Sequence, residues 1–161
     1  MSHIVVGIAE FKFAEPPHKL VTYGLGSCVA ITCYAKEAII GSMAHVLLPH
    51  AYSSSHDNEA PGKFADSAVA AMVQQMEIRD IGPSRLIAKI AGGADMFAGQ
   101  FMGSDRCIGA RNILAARKAL DKFGIRLVAQ DVGGIAGRTV EFATESGLLV
   151  VRTLRGEVKQ L

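Results

Sequence analysis

The sequence predicts one domain that mixes strands and helices, and three observations predict it. Several apolar runs alternate with period two, or run on continuously with β-branched residues, as strands do. Two stretches repeat apolar residues at helical spacing. The chain has 161 residues, enough for one proper core, and no repeat, low-complexity tract or domain boundary divides it, so residues 1–161 read as a single unit.

Ile4 to Ala9 is an apolar run expected to form a first strand, and Pro16-Pro17 marks a loop after it. Leu20 to Tyr23 is a short extended approach to a glycine turn, Gly24-Leu25-Gly26-Ser27. From Val29 to Tyr34 the pattern alternates, with Val29, Ile31 and Cys33 on one face. Lys36-Glu37 is a polar break. Ala38 to Leu48 is too continuously apolar for an exposed strand, so it is expected to be central, buried on both faces, and to hold His45 in the interior. The two runs make a hairpin. A polar loop follows from His50 to Glu59, closed by Pro61-Gly62.

Asp66 to Arg79 is expected to be a helix with Val69, Met72, Val73 and Met76 inward, ended by Gly82-Pro83. Leu86 to Ala91 is a strand that runs into Gly92-Gly93 and a long loop reaching Gly109. Ala110 to Phe123 is a second helix, with Ile113, Ala116 and Leu120 inward and Gly124 as its C-terminal cap. Strands are expected at Ile125–Val132, Thr139–Ala143 and Gly147–Leu154, with Thr144 to Gly147 turning a closing hairpin. The polar tail from Arg155 is expected to be loose.

Composition excludes several functions. Half of the residues are hydrophobic, a fifth are charged, and the net charge is +2 without any block of like charge, so the clustered basic face of a nucleic-acid binder is missing. Three cysteines without paired spacing make neither a disulfide framework nor a four-cysteine zinc site. The first residues lack the basic start and apolar core of a signal peptide. No run approaches the roughly 18 apolar residues of a membrane span. The expectation is a soluble cytoplasmic protein with free thiols and no membrane insertion. No cofactor is expected: Gly24-Leu25-Gly26 lacks the third glycine of a dinucleotide fingerprint, and no Gly-Lys-Ser/Thr is present. No metal is expected either, because His45, His50, His56 and Asp57 match no common zinc spacing, and Pro49 forbids a helical histidine pair.

Chemistry concentrates between Val21 and Pro49. The glycine turn delivers Cys28 to the start of one strand, and the return strand carries His45 near its end. On a hairpin those positions are neighbours, and a thiol beside an imidazole is a covalent catalyst. Ser27 and Cys28 follow two glycines, so their backbone N–H groups can form an oxyanion hole. The plain alternative is a buried cysteine and a satisfied core histidine; Cys33 and Cys107 fit that description. Thr22 suits a strand as a β-branched residue, and its hydroxyl or carbonyl can also orient an imidazole. Met96, Phe97, Phe101 and Met102 lie in the long loop without periodicity. They either plug the core edge or present an apolar surface to a partner helix.

Thr22, Gly24-Leu25-Gly26-Ser27-Cys28-Val29 and Met43-Ala44-His45-Val46-Leu47-Leu48-Pro49 resemble the signature of the CheD family, the chemoreceptor glutamine deamidases. So do Pro61-Gly62-Lys63-Phe64-Ala65-Asp66, Ala88-Lys89-Ile90-Ala91-Gly92-Gly93-Ala94, Ile108-Gly109-Ala110-Arg111-Asn112, and Asp131-Val132-Gly133-Gly134 followed by Gly137-Arg138. The resemblance runs from about Ile4 to Leu154 with the blocks in order. It implies an α+β fold: a β-sandwich core with flanking helices, like the catalytic domain of the cytotoxic necrotizing factors. It implies a cysteine–histidine thioester mechanism with Cys28, His45 and Thr22 as site residues. The implied reaction converts glutamines on methyl-accepting chemoreceptor cytoplasmic helices to glutamates, in chemotaxis adaptation at receptor arrays. The implied partner is a CheC-type phosphatase.

The same site can accept a glutamyl methyl ester. Two other classes stay open: a binding module acting mainly through its phosphatase partner, and a general cysteine hydrolase. For the deamidase, Phe97 and Phe101 are the expected substrate-binding residues, with their two methionines, because every glutamine carries the same carboxamide and selectivity must come from beyond it.

Overall fold

A computed structural model describes residues 2–51, 60–97 and 107–161. Their strands, β1 (His3–Val5), β2 (Phe11–Ala14), β3 (Lys19–Leu25), β4 (Val29–Ala35), β5 (Ile40–Val46), β6 (Ile87–Gly92), β7 (Arg126–Val132), β8 (Arg138–Ala143), β9 (Leu148–Thr153) and β10 (Val158–Gln160), form two five-stranded sheets. One has the order β1-β3-β8-β9-β10 and the other β2-β5-β4-β6-β7. Helices α1 (Ala65–Ile78) and α2 (Ile108–Lys122) pack on the second sheet. The class is α+β, a two-sheet sandwich flanked by helices.

The alternation along the hairpin builds two cores from one sheet. Val29, Ile31, Cys33 and Ala35 of β4, with Ala44 and Val46 of β5, join the helices. Ala30 and Tyr34, with Met43, face the first sheet, where they meet Leu20, Leu25, Val140, Phe142 and Leu149. This explains why β4 and β5 are buried along their whole length: a strand covered on both faces reads as a continuous apolar run. The stripes expected in the helices are all buried: Val69, Met72, Val73 and Met76 in α1, Ile113, Ala116 and Leu120 in α2. A fully buried side chain such as Met72 stabilises by about 1.5–3 kcal/mol.

The structure corrects the sequence reading at four places. The first strand ends at Val5, because Gly7 to Glu10 turns the chain from one sheet to the other, with the Glu10 carboxylate accepting the Gly7 N–H at 2.8 Å. β2 is a strand the sequence reading passed over. Helix α1 is closed by Asp80, not by Gly82-Pro83: Asp80 takes φ of 60° and the Ile81 N–H donates to the Met76 carbonyl at 3.0 Å. The tail is not loose: β10 pairs with β9, and the Leu161 carbonyl accepts the Lys89 ammonium at 2.7 Å. A second clamp joins the sheets, where Arg138 of β8 and Lys159 of β10 hold Asp131 of β7 at 3.1 and 2.9 Å. No described helix is long and apolar enough to cross a membrane.

Candidate active site

The β4–β5 register pairs Ala30 with His45. Cys28 stands two residues before Ala30, so it is the diagonal neighbour of His45 on the face turned to the first sheet. In a continuous ladder such neighbours lie about 7–8 Å apart across the strands, within reach of two side chains. Two glycines make the delivery of Cys28 possible. Gly24 adopts φ of 67° at the irregularity that interrupts β3 between Thr22 and Leu25. Gly92 adopts φ of 113°, and a Cβ there would lie 2.4 Å from the Cys28 carbonyl oxygen. That carbonyl accepts the Gly93 N–H at 2.8 Å. The Ser27 and Cys28 N–H groups donate to no backbone carbonyl among the described residues.

His45 is fully buried, and so is Thr22, which reaches it from the opposite sheet. The Thr22 Oγ1 lies 2.7 Å from His45 Nδ1 and 2.6 Å from the Val6 carbonyl oxygen. A carbonyl only accepts, so the single hydroxyl proton goes to Val6. Thr22 can then only accept from His45, and Nδ1 must carry the ring proton. The other nitrogen, Nε2, is left as a bare lone pair with no hydrogen-bond partner among the described residues, Cys28 included. Burial pushes the imidazole below its ordinary pKa. Burial also pushes the Cys28 thiol up, with its own backbone N–H pulling the other way. Both shifts favour a neutral thiol beside a neutral imidazole at rest. Cys33, fully buried on the helix side, is pushed up to about 12 and is inert.

Beside Ser27 opens a cavity of about 210 Å³, walled by Met96, Phe97, Ile108 and Cys107. Met96 and Phe97 are 49% and 61% exposed, so they do not plug the core edge. Phe101 and Met102 lie outside the described residues, as do His56 and Asp57. His50 sits beside Asp66, with Nδ1 3.8 Å from Oδ2. Among the described residues no cluster of three or more His, Cys, Asp or Glu is placed to hold a metal. The sequence reading gave Val6 no part and named Asn112 only within a block that resembles the family signature, without a role; nothing in the spacing marks Val6, whose part is played by its carbonyl.

The family profile described as "CheD chemotactic sensory transduction" matches residues 47–153. The chain belongs to the CheD family. The match begins just after His45, but alignments with individual CheD proteins span the whole chain. It is 48% identical to "Probable chemoreceptor glutamine deamidase CheD 2" of Geobacter metallireducens, over 100% of both chains. It is 44% identical to "Chemoreceptor glutamine deamidase CheD" of Thermotoga maritima, over 98% of both. It is 41% identical to "Probable chemoreceptor glutamine deamidase CheD" of Caldanaerobacter subterraneus subsp. tengcongensis, over 97% of this chain and 96% of that one.

Proposed function

We propose that this protein deamidates glutamine side chains on the cytoplasmic helices of methyl-accepting chemoreceptors, working in the cytoplasm at receptor arrays. Cys28 is the nucleophile, His45 the base and acid, and Thr22 the residue that orients the imidazole. One observation carries the reading: Thr22 fixes the His45 proton on Nδ1 and leaves Nε2 without a partner among the described residues, on a strand position diagonal to Cys28. In the first step the Cys28 proton moves to Nε2 as Sγ attacks the carboxamide carbon. Because thiol and imidazole are neutral at rest, transfer accompanies attack. The oxyanion is held by the Ser27 and Cys28 N–H groups. Nε2 then protonates the leaving nitrogen, the C–N bond breaks, and ammonia departs from a thioester. Water gives a proton to Nε2, attacks the carbonyl, and the C–S bond breaks. Sγ recovers the proton and glutamate remains, ready for later methylation in adaptation. A glutamyl methyl ester differs only in its leaving group and is a second substrate, losing methanol.

The test is mass spectrometry of receptor cytoplasmic fragments incubated with and without the protein. Conversion of glutamine to glutamate, a gain of about one mass unit with release of ammonia, is the expected result; unchanged fragments reject it. Within this reading Thr22→Val keeps the shape and the backbone but deletes the hydroxyl. Turnover should fall by about 10²-fold in the folded variant, as the ring loses its fixed tautomer. An unchanged rate removes the hydroxyl from the mechanism.

Selectivity is assigned to the apolar cavity beside Ser27. An amphipathic receptor helix can seat apolar anchors there while presenting its glutamine to Cys28. A CheC-type phosphatase offering a similar helix would compete for the same surface. Phe97→Ala should raise KM for receptor fragments about tenfold and leave hydrolysis of a small glutamyl ester unchanged. Equal loss of both activities would show that Phe97 supports the fold instead.

A further inference from the structure

The ladder that carries the site stops one pair short of it. Val29 and Val46 are the last register pair between β4 and β5. Beyond them the strands part. The Leu47 and Leu48 N–H groups both donate to the Lys63 carbonyl, at 2.9 and 3.0 Å. On the other side the Gly26 and Cys28 carbonyls accept from Ala94 and Gly93 at 2.9 and 2.8 Å. Among the described residues no backbone hydrogen bond joins residues 26–28 to residues 47–49.

One side chain bridges the gap. Asn112 of α2 is fully buried, and its Nδ2 lies 2.9 Å from the Ser27 carbonyl oxygen and 3.1 Å from that of Leu47. Both partners only accept, so the amide nitrogen must be the atom that faces them, and both of its protons are used. Ser27 immediately precedes Cys28, and Leu47 follows His45 by two residues. The bridge does not exist to satisfy the amide itself: the Asn112 Oδ1 has no partner among the described residues. A buried acceptor left unpaired is costly, and an apolar residue would fill the helix position without that cost.

We infer that Asn112 is a positioning residue that sets the separation of Cys28 and His45 by tying together the open ends of their hairpin. This rests on the assignment of those two residues as the catalytic pair. Misplacing reacting groups by about 1 Å can cost on the order of 10²-fold in rate, and no backbone hydrogen bond among the described residues holds these two strand ends to each other.

The experiment compares Asn112→Ala with Leu120→Val, a core truncation two turns along the same helix and away from the hairpin ends. Two readouts are taken on folded protein: kcat and KM for receptor fragments, and the pH profile of Cys28 alkylation by iodoacetamide, followed by peptide mapping. Asn112→Ala should lower kcat by about 10²-fold with little change in KM, and should shift the Cys28 alkylation profile. Leu120→Val should lower Tm yet keep both readouts. If Asn112→Ala does not fold, Asn112→Ser, which retains one donor, is read in its place. A kcat within about twofold of wild type, or an equal loss in Leu120→Val at matched Tm, overturns the inference. If the wild type modifies no receptor fragment, the deamidase reading fails by itself. The alkylation profile then still decides whether Asn112 governs the thiol: a shift supports the inference, an unchanged profile rejects it.

Discussion

Cys28→Ser is expected to reduce ammonia release from receptor fragments by on the order of 10⁴-fold or more, the scale seen when a member of a nucleophile–base unit is removed. The substitution is nearly isosteric, so the loss would be chemical. A serine hydroxyl is far less acidic than a thiol, and burial already pushes the Cys28 thiol up; the hydroxyl would resist ionising still more. Cys28→Ala controls for the fold. Cys28 is 7% exposed and small, so its truncation should cost only about 1 kcal/mol. Alkylation tests the assignment independently. Inactivation should track modification of Cys28 alone. Cys33 is sealed in the helix-side core, and Cys107 is half-buried at the start of α2. Loss of activity that tracks Cys107 instead, or a Cys28→Ser protein with wild-type turnover, would overturn the mechanism. A Cys28→Ser strain with normal chemotaxis would favour a binding role.

His45→Gln should lower turnover by about 10²–10⁴-fold in a folded protein, the usual range for a general base. The wild-type pH profile carries a second expectation. Burial holds the imidazole below its ordinary value near 6.5. The acidic limb of kcat/KM should therefore lie below pH 6.5, with Nε2 still unprotonated at neutral pH. Stability follows the same sign. The unfolded chain takes up the His45 proton more readily than the folded one. The native state therefore keeps its full stability from this group above the unfolded pKa and loses it as pH falls below that value. Urea melts across that range should show a shallower acid slope for His45→Gln than for wild type. An unfolded His45→Gln protein would mark the residue as core, and a folded one at near wild-type rate would remove it from the chemistry.

Much of this was legible in the sequence because local patterns dictated it. The alternation from Val29 to Tyr34 and the unbroken run to Leu48 announced a hairpin covered on both faces, and the structure has it. Gly124 caps α2 with φ of 68°, as a glycine in that place predicts. What failed depended on distant partners. β2 is held by pairing with β5, and β10 by pairing with β9 and by Lys89; short strands of this kind carry little signal of their own. The end of α1 falls within a residue of the expected Arg79, but what closes it was misread, because Asp80, a non-glycine residue in the left-handed region, does the turning. At the site, Thr22 could be named but not resolved between hydroxyl and carbonyl. The contact that turns the Thr22 hydroxyl into an acceptor for His45, the Val6 carbonyl, lies on another segment. Asn112 stood in a block that resembles the family signature, but its part was hidden for the same reason: a buried asparagine on an inward face looks like a flaw until its two carbonyls are seen.

The site hangs from both sheets, and this makes it a gauge of their spacing. Thr22 belongs to one sheet and His45 to the other, so the imidazole tautomer is set by the thickness of the layer between them. Interiors are close-packed and transmit strain. A methylene added beside Phe142 or Met43, deep in that layer, would push the sheets apart and be read out by the histidine as a lost hydrogen bond. The same methylene beside Met76, against the far face of the second sheet, has no such lever. The two cores therefore differ in evolvability. The helix-side core bears on the proposed site only through Asn112, which α2 carries to the hairpin ends, whereas any change in the calibre of the layer between the sheets acts directly on the Thr22–His45 contact.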